Sequence, residues 1–257
     1  MHLSIFGFQI LQYARICLLQ LKRCRLDSFI YKIIPLRRFQ NILLSKKFGF
    51  VNPSLWGDPY ENFLLNQTFK IESGEERTFK ELTHQLYGSC WTFNHNTDYG
   101  WKVYLRDEIG VQIKTRISRL YDHLSFLKND VNLATFQIGK VDYMKWKALK
   151  NRYEKRGFNE FLFLLNESSF IKRYEYVHER EVRILLRYQN CPSNILSLDF
   201  DINSISKTIM LDPRLSQLDY ELEKQKLLTL GYKGRIYRST LYTPPRLNLN
   251  YKNIKDQ

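Results

Sequence analysis

Glycine-rich phosphate-binding loops are missing from this sequence, which contains only 11 glycines among 257 residues. It has no G-x-G-x-x-G dinucleotide fingerprint, no Walker-type loop, no H-E-x-x-H helix and no G-x-S-x-G turn. The five histidines do not pair at the spacing of metal ligands. These absences argue against classical dehydrogenases, kinase-like enzymes and metalloproteases.

Cysteine is also scarce. The four cysteines, Cys17, Cys24, Cys90 and Cys191, are scattered, and none shows the paired spacing of a zinc site. Disulfides persist mainly in oxidising compartments, so we expect reduced, buried thiols in a cytoplasmic protein. No bound metal is expected.

Acidic residues are few relative to basic ones. The sequence has 26 Asp and Glu and 40 Lys and Arg, which gives a formal charge of +14. Summed positive charge attracts phosphate backbones at long range, so this balance favours a nucleic-acid partner. A second basic cluster, Lys145–Arg156, is explained equally well as the solvated face of a helix. The predicted nucleic-acid-binding residues come from the first, denser cluster and are Arg23, Arg25, Arg37, Arg38, Lys46 and Lys47.

The most apolar stretch runs from Ser4 to Leu21, but Arg15 and three glutamines interrupt it. An arginine near the centre of a membrane span costs about 2.5–3.5 kcal/mol. We therefore expect a helix that packs on this domain or in a homodimer, with membrane-surface contact as the alternative and a signal peptide as the weakest interpretation. The expected organisation is an N-terminal helical segment, 1–27, and one domain, 28–257.

Strand and helix patterns alternate without strict βαβ order, which predicts an α+β fold with mixed or antiparallel sheets around a cleft and flanking helices. The predicted strands include Phe29–Ile34, Gly88–Phe93, Thr135–Val141 and Tyr174–Tyr188. The predicted helices include Arg37–Lys46, Glu75–Leu86, Arg116–Leu127, Tyr143–Leu165 and one that opens at Asp212-Pro213.

The most informative segment is the predicted strand Tyr174–Tyr188. Alternate residues of a strand share a face, so Glu179, Glu181 and Arg183 would point the same way. One interpretation is an exposed ladder of ion pairs. The other is a catalytic glutamate held by its charged neighbours.

Four blocks of the sequence, in the same order, resemble a widespread bacterial family named only as domain of unknown function twenty-nine seventy-one. The first block runs from Leu43 to Glu61 and resembles its Asn-Asp-Pro-Phe-Glu signature, although Gly57 replaces the usual asparagine. The others are Ser89–Thr92, the stretch from Gly100 to Ile113, and Glu179-x-Glu181-x-Arg183. The resemblance covers about residues 30 to 240, and the name of the family implies no activity.

The order of the predicted strands and motifs along the chain is also similar, more weakly, to that of ADP-ribosyltransferases, particularly the toxins that modify nucleic acids. That resemblance implies NAD as cofactor, Glu181 as the residue that stabilises the oxocarbenium-like transition state, and Glu179 and Arg183 beside it. It implies that Tyr31 and Lys32 contact NAD, with Trp91 or Trp101 stacking on nicotinamide. Both tryptophans could instead be core residues. Asp58 and Glu61 are two further candidates for the cofactor site, and their alternative role is to cap the next secondary-structure element.

Three functions remain open at this point. The first is an ADP-ribosyltransferase that modifies nucleic acid within a toxin or antiphage system. The second is a non-catalytic nucleic-acid-binding protein of a defence system. The third is a metal-dependent nuclease built on Asp58, Glu61, Glu179 and Glu181. The most informative structural observation would be whether Lys32 and Glu181 converge on one pocket.

Overall fold

The structure is a computed structural model that describes residues 21–58, 61, 68–70, 74, 76–78, 85–127, 130–154 and 167–247. The predicted N-terminal helix lies outside these residues, apart from its last residue. Leu21–Lys22 instead forms a short strand, β1, on the edge of the main sheet. None of the helices in the described ranges is both long enough and apolar enough to cross a membrane.

The described chain is a mixture of strands and short helices. The strands are β1 Leu21–Lys22, β2 Phe29–Pro35, β3 Lys47–Val51, β4 Thr68–Lys70, β5 Glu76–Thr78, β6 Leu86–Thr92, β7 Gly110–Arg116, β8 Leu133–Lys140, β9 Asp142–Met144, β10 Ile171–Arg173, β11 Glu181–Tyr188, β12 Ile195–Asp199, β13 Thr208–Leu211 and β14 Arg235–Arg238. The α-helices are α1 Leu36–Ser45, α2 Asp98–Leu105, α3 Ile117–Phe126, α4 Trp146–Glu154, α5 Ile202–Ile205 and α6 Gln217–Thr229. Pro53–Leu55 and Tyr174–Glu179 are 3-10 helices.

One ten-stranded sheet organises the fold. Its main path runs β1-β8-β11-β6-β2-β7-β13-β14, with β3 beside β6 and β12 beside β3. The β1–β8 and β13–β14 pairs are parallel, and the other pairs of this sheet are antiparallel. The α+β class with a largely antiparallel sheet and flanking helices is therefore confirmed.

The two faces of the sheet differ sharply in chemistry. On β11 the even-numbered residues Val182, Ile184 and Leu186 enter the main hydrophobic core, which also takes in buried residues of α1, α3, α5 and α6. Residues of odd number, among them Glu181 and Arg183, point to the opposite face because side chains alternate along a strand. We call this second face the site face. It carries α2, whose Trp101 packs in a small cluster with Ile33, Leu105 and Met210.

Several predicted elements were wrong in detail. Tyr174–Glu179 is a 3-10 helix, so β11 begins only at Glu181. Glu76–Thr78 is a strand where a helix was predicted. The last helix begins at Gln217, after a Ser216 N-cap whose side chain accepts from the Asp219 backbone N–H. The predicted helix Tyr143–Leu165 gives way to β9 and α4, and its part beyond Glu154 lies outside the described residues.

Candidate active site

The site face is polar where β11, β6 and β2 meet. Glu181 pairs with Thr92 of β6, and Thr92 pairs with Tyr31 of β2, so these three residues form one row across the sheet. Paired residues in a sheet project from the same face. Glu181 and Tyr31 therefore lie on the same side of the sheet, and the Tyr31 ring packs against His95 with 4.8 Å between ring centroids.

The Lys172 ammonium lies at the centre of the candidate site. Its Nζ is 2.7 Å from Glu179 Oε2, 3.3 Å from Glu61 Oε1 and 3.5 Å from Glu181 Oε2. The four side chains are almost entirely buried. One cation on β10 thus holds together Glu61 and two carboxylates, Glu179 and Glu181, from a segment more than a hundred residues later.

Arg183 is the second cation of the site and is 0% exposed. Its Nη2 donates to Glu181 Oε2 at 2.9 Å and also to Glu61 Oε1, while Nη1 donates to the Ser169 carbonyl at 2.6 Å. Its guanidinium carbon lies 4.4 Å from the centroid of the Trp56 ring. The expected exposed ladder of ion pairs on β11 is wrong, because Glu181 and Arg183 are buried against partners from elsewhere.

Trp56 can lie over Arg183 only because position 88 of β6 has no side chain. A Cβ on Gly88 would stand 2.6 Å from Trp56 Cζ2, well inside van der Waals contact. Gly88 and Trp56 are thus a matched pair. The aromatic ring fills the space that another residue at position 88 would occupy.

A Gly88→Ala substitution is expected to destabilise the protein by about 1–3 kcal/mol, because overpacking forces neighbouring side chains out of place. The midpoint of urea unfolding measures this change. Gly57→Ala is the matched control, since a Cβ at Gly57 meets nothing within 4 Å. Equal midpoints for the two variants would contradict the packing described for Trp56.

The charges of the site set the protonation of its carboxyls. Burial opposes ionisation of Glu181, but Arg183 and Lys172 outweigh burial and hold the pKa of Glu181 below its usual value. At Glu61 burial dominates over the same two cations, and its pKa is raised. Burial also opposes the charge of Lys172, but Glu181 and Glu61 outweigh it and raise the Lys172 pKa. Glu181 is therefore an ionised carboxylate held at 5% exposure.

Glu179 reaches the site from the end of the 3-10 helix rather than from a strand. Its carboxylate accepts from the Tyr99 hydroxyl at 3.2 Å and from Lys172, and its backbone carbonyl accepts from Thr92 Oγ1 at 2.5 Å. Arg180 then takes a left-handed conformation, with φ of 46°, before β11 begins. The turn of the chain at Arg180 brings Glu179 beside Glu181, although Glu179 is not part of the strand.

The edge of β6 that faces β2 is divided between two neighbours. β2 pairs with it at Thr92, and β3 pairs with it at Gly88. Between these points the Cys90 carbonyl accepts from Lys32 Nζ at 2.7 Å. We call this place, where β2 and β3 part along β6, the branch. The Cys90 side chain is on the site face, where burial and the neighbouring Glu181 carboxylate raise the pKa of its thiol.

Lys32 and Glu181 leave the sheet on opposite faces, although the Glu181 carboxylate still acts on the Lys32 ammonium through the branch and opposes the lowering of its pKa. Lys32 neighbours Tyr31 on β2, so its side chain leaves the opposite face, where its Nζ lies 5.8 Å from the centroid of the Trp91 ring. Trp91 is buried in the main core. Trp101 is a residue of α2 that is buried between the helix and the sheet, and its Nε1 donates to Asn96 Oδ1 at 2.9 Å. The structure thus places both tryptophans in packing positions and leaves Tyr31 on the face of Glu181.

The burial of Lys32 has a measurable pH dependence. Desolvation lowers its pKa to about 8, so between that pH and its ordinary pKa of 10.5 the unfolded chain binds more protons than the folded one. Stability supplied by neutral Lys32 is then lost as pH falls through this window. Wild-type stability minus that of Lys32→Met, measured by urea unfolding from pH 7 to 10, is expected to rise with pH. A flat difference would show that the ammonium is not desolvated.

The remaining predicted residues are dispersed. Asp58 is buried and pairs with Arg173 at 3.2 Å, on the margin of the site. Arg23 is bound to Asp142 at 2.6 Å, and Arg25 pairs with Asp27. The other four predicted nucleic-acid contacts lie on α1, at its C-terminal cap and at the start of β3. They are Arg37, Arg38, Lys46 and Lys47.

The described residues contain no group of three or more His, Cys, Asp or Glu side chains that could hold a metal ion. Glu61, Glu179 and Glu181 do converge, but the Lys172 ammonium occupies the space between them. A cation that needs several oxygen ligands would compete with that ammonium. The arrangement of the three carboxylates therefore does not favour the nuclease alternative.

Three functional neighbours were missed by sequence reasoning. Lys172 stands in an ordinary basic-aromatic stretch, Trp56 in a turn and Tyr99 at a helix start. No spacing rule connects them to Glu181. The available signal was Gly88 at the start of a predicted strand, since a strand glycine often marks a close approach by another group.

Comparison with known proteins gives a distant structural likeness. No family model matches the chain, and no curated protein matches it. A structure of Thermus sp. 2.9 DarT in complex with NAD+ is similar with a TM-score of 0.38 and 10% identity, over 83% of this chain and 96% of that one. The structure of DarT from that source in complex with ADP-ribosylated ssDNA gives a TM-score of 0.39 and 9% identity, over 86% and 98%. At these values the likeness does not define an activity, so the function of the chain must follow from its site.

Proposed function

We propose that this chain is an NAD-dependent ADP-ribosyltransferase that modifies nucleic acid. The observation that carries the proposal is Glu181, a buried carboxylate that two cations keep ionised beside the branch of the sheet. Positive charge develops on the ribose carbon as nicotinamide leaves NAD. A carboxylate fixed at that point stabilises the transition state more than the substrate, as in glycoside hydrolysis.

The charge balance of the site supports NAD as the substrate. Three carboxyl groups face two cations, so the cluster carries no excess of positive charge that would oppose a positively charged nicotinamide ring. Tyr31 and His95 provide aromatic surface in the same row as Glu181. In this proposal Arg183 and Lys172 are positioning residues, and Glu179, held by Tyr99, faces the acceptor.

Nucleic acid is proposed as the acceptor because the chain carries a formal charge of +14. NAD+ and ADP-ribosylated ssDNA are also the molecules in the Thermus DarT structures. An enzyme of this kind would act as a toxin or antiphage effector, with the cytoplasm as its place of action. We also propose that residues 28–257 form one domain.

The test uses the full chain with NAD labelled in its adenosine part and separate single-stranded DNA, single-stranded RNA, duplex DNA and protein acceptors. The expected result is release of nicotinamide and label on a single-stranded nucleic acid. Label on protein alone would refute nucleic acid as the acceptor. Absence of nicotinamide release with every acceptor would refute the transferase and leave the nucleic-acid-binding alternative.

A further inference from the structure

We propose that a surface beside the site binds the single-stranded nucleic acid that the enzyme modifies, by stacking bases on two exposed aromatic rings. The proposal rests on the function proposed above and names where its acceptor is held. The surface consists of Lys145, Trp146, Lys147, Lys150 and Tyr174, and we call it the stacking surface.

The fold brings the two parts of this surface together from distant segments. β9 and β10 are parallel neighbours, and Met144 pairs with Arg173 at their carboxyl ends. The next residues, Lys145 and Tyr174, therefore emerge side by side. Lys145 Nζ lies 5.6 Å from the centroid of the Tyr174 ring, within the range of a cation–π contact.

Two aromatic side chains of the surface are open to solvent. Trp146 is 52% exposed and Tyr174 is 48% exposed. Every nucleobase has a π-face, so exposed rings next to cations form a platform that binds single strands with little sequence preference. Duplex DNA cannot use such a platform without unstacking its bases.

The charges around the rings suit a phosphate backbone. Lys145, Lys147 and Lys150 are exposed, and Arg180 is exposed at the corner before β11. Glu175 is the acidic residue on the intervening 3-10 helix that is exposed. The balance is strongly positive, which favours nucleic acid over a neutral or acidic partner.

The stacking surface is also close to the candidate active site along the chain. Tyr174 starts the 3-10 helix and Glu179 ends it, a distance of about 10 Å at the usual rise of such a helix. Lys172 of β10 bonds to Glu179, Glu61 and Glu181. A strand stacked on Tyr174 is therefore positioned to present a neighbouring nucleotide to the site.

The first basic cluster has no comparable position. Arg37 and Arg38 belong to α1, which packs on the core side of the sheet, and Arg23 and Arg25 are engaged by Asp142 and Asp27. Arg38 reaches β3 near the branch, where its Nη2 lies 3.6 Å from the position of a Cβ on Gly49. This cluster therefore contributes a cation at the branch and long-range attraction, whereas the second basic cluster combines exposed lysines with exposed aromatic rings and is the surface on which bases can stack.

The test measures binding of a fluorescein-labelled single-stranded DNA of about 16 nucleotides to the full chain by anisotropy, without NAD. Trp146→Ala and Tyr174→Ala are each expected to weaken binding about tenfold, and Trp146→Phe to restore most of it. Lys147→Ala is expected to reduce the slope of log K against log salt by about 0.7. Tyr237→Ala is the matched control, because Tyr237 is an exposed tyrosine between Arg235 and Arg238 at the far edge of the sheet.

Unchanged affinity in Trp146→Ala and Tyr174→Ala would overturn the proposal, as would equal losses in Tyr237→Ala. Loss of binding to phosphatidylserine vesicles, with DNA binding intact, would also overturn it and assign the rings to a membrane surface. Nicotinamide release by the wild-type chain is measured in parallel. If DNA affinity falls in the variants but the wild type releases no nicotinamide, the surface stands as a binding site and the transferase function fails.

Discussion

Glu181→Gln abolishes release of nicotinamide from NAD and leaves the protein folded; this is the result expected if the proposed function is right. Glutamine keeps the size of the side chain and an oxygen that accepts from Arg183, but it removes the negative charge. Loss of one preorganised electrostatic contact to a transition state typically lowers the rate by about 10²–10³-fold, and loss of a full charge by at least that much. A small effect on single-stranded DNA affinity is expected, because Glu181 is not on the stacking surface.

Nicotinamide release and circular dichroism check this prediction together. Glu221→Gln on α6 is the matched control, since Glu221 is an exposed glutamate remote from β11 in the sheet order, and it should retain wild-type activity. Full turnover in Glu181→Gln would remove the transferase proposal. If Glu181→Gln does not fold, Glu181→Asp is tested instead. Aspartate keeps the negative charge on a shorter side chain, so this variant should retain part of the activity.

Arg183→Met is expected to destabilise the protein by about 3–5 kcal/mol, the usual result of removing one member of a buried ion pair. Methionine would leave Glu181 and Glu61 buried with the remaining cation, Lys172. It would also remove the donor to the Ser169 carbonyl and the cation beside Trp56. No substitution at an exposed position approaches this cost.

Urea unfolding measures the loss, with Arg235→Met as control, because Arg235 is an exposed arginine on β14 and its substitution should change stability by less than about 0.5 kcal/mol. Arg183→Lys separates charge from geometry. Lysine keeps the positive charge but not the planar fork that serves Ser169, Glu61 and Glu181 at once, so it should restore only part of the stability. Equal stability of Arg183→Met and wild type would show that the buried charge network is not as described.

The strands of the sheet were largely predictable because their signals are local. The predicted strands Phe29–Ile34 and Thr135–Val141 combine β-branched and aromatic residues, and strands are present at Phe29–Pro35 and Leu133–Lys140. The segment Tyr174–Glu179 misled because it contains two tyrosines and a valine, which are common in strands, and runs directly into β11. In the structure it is a 3-10 helix that turns the chain before β11.

The importance of Glu181 and Arg183 was visible in the sequence, but their burial was not. Charged residues on a strand are ordinarily exposed, and burial becomes tolerable only when partners satisfy them. Those partners are Glu61, more than a hundred residues earlier in the chain, and Lys172 on β10. Only the folded arrangement of three segments reveals that these charges compensate each other.

The branch has a mechanical consequence. On one side of it lies the group β2-β7-β13-β14, on the other β1-β8-β11-β6 with β3 and β12, and the ladder between the groups consists of the Tyr31–Thr92 pair. With so short a ladder between them, the two groups owe their relative position to the hydrophobic core that they share and to the bond from Lys32 to the Cys90 carbonyl. A ligand that bound at the branch and contacted both groups would add to this cohesion, so we expect its binding to raise the stability of the domain against unfolding.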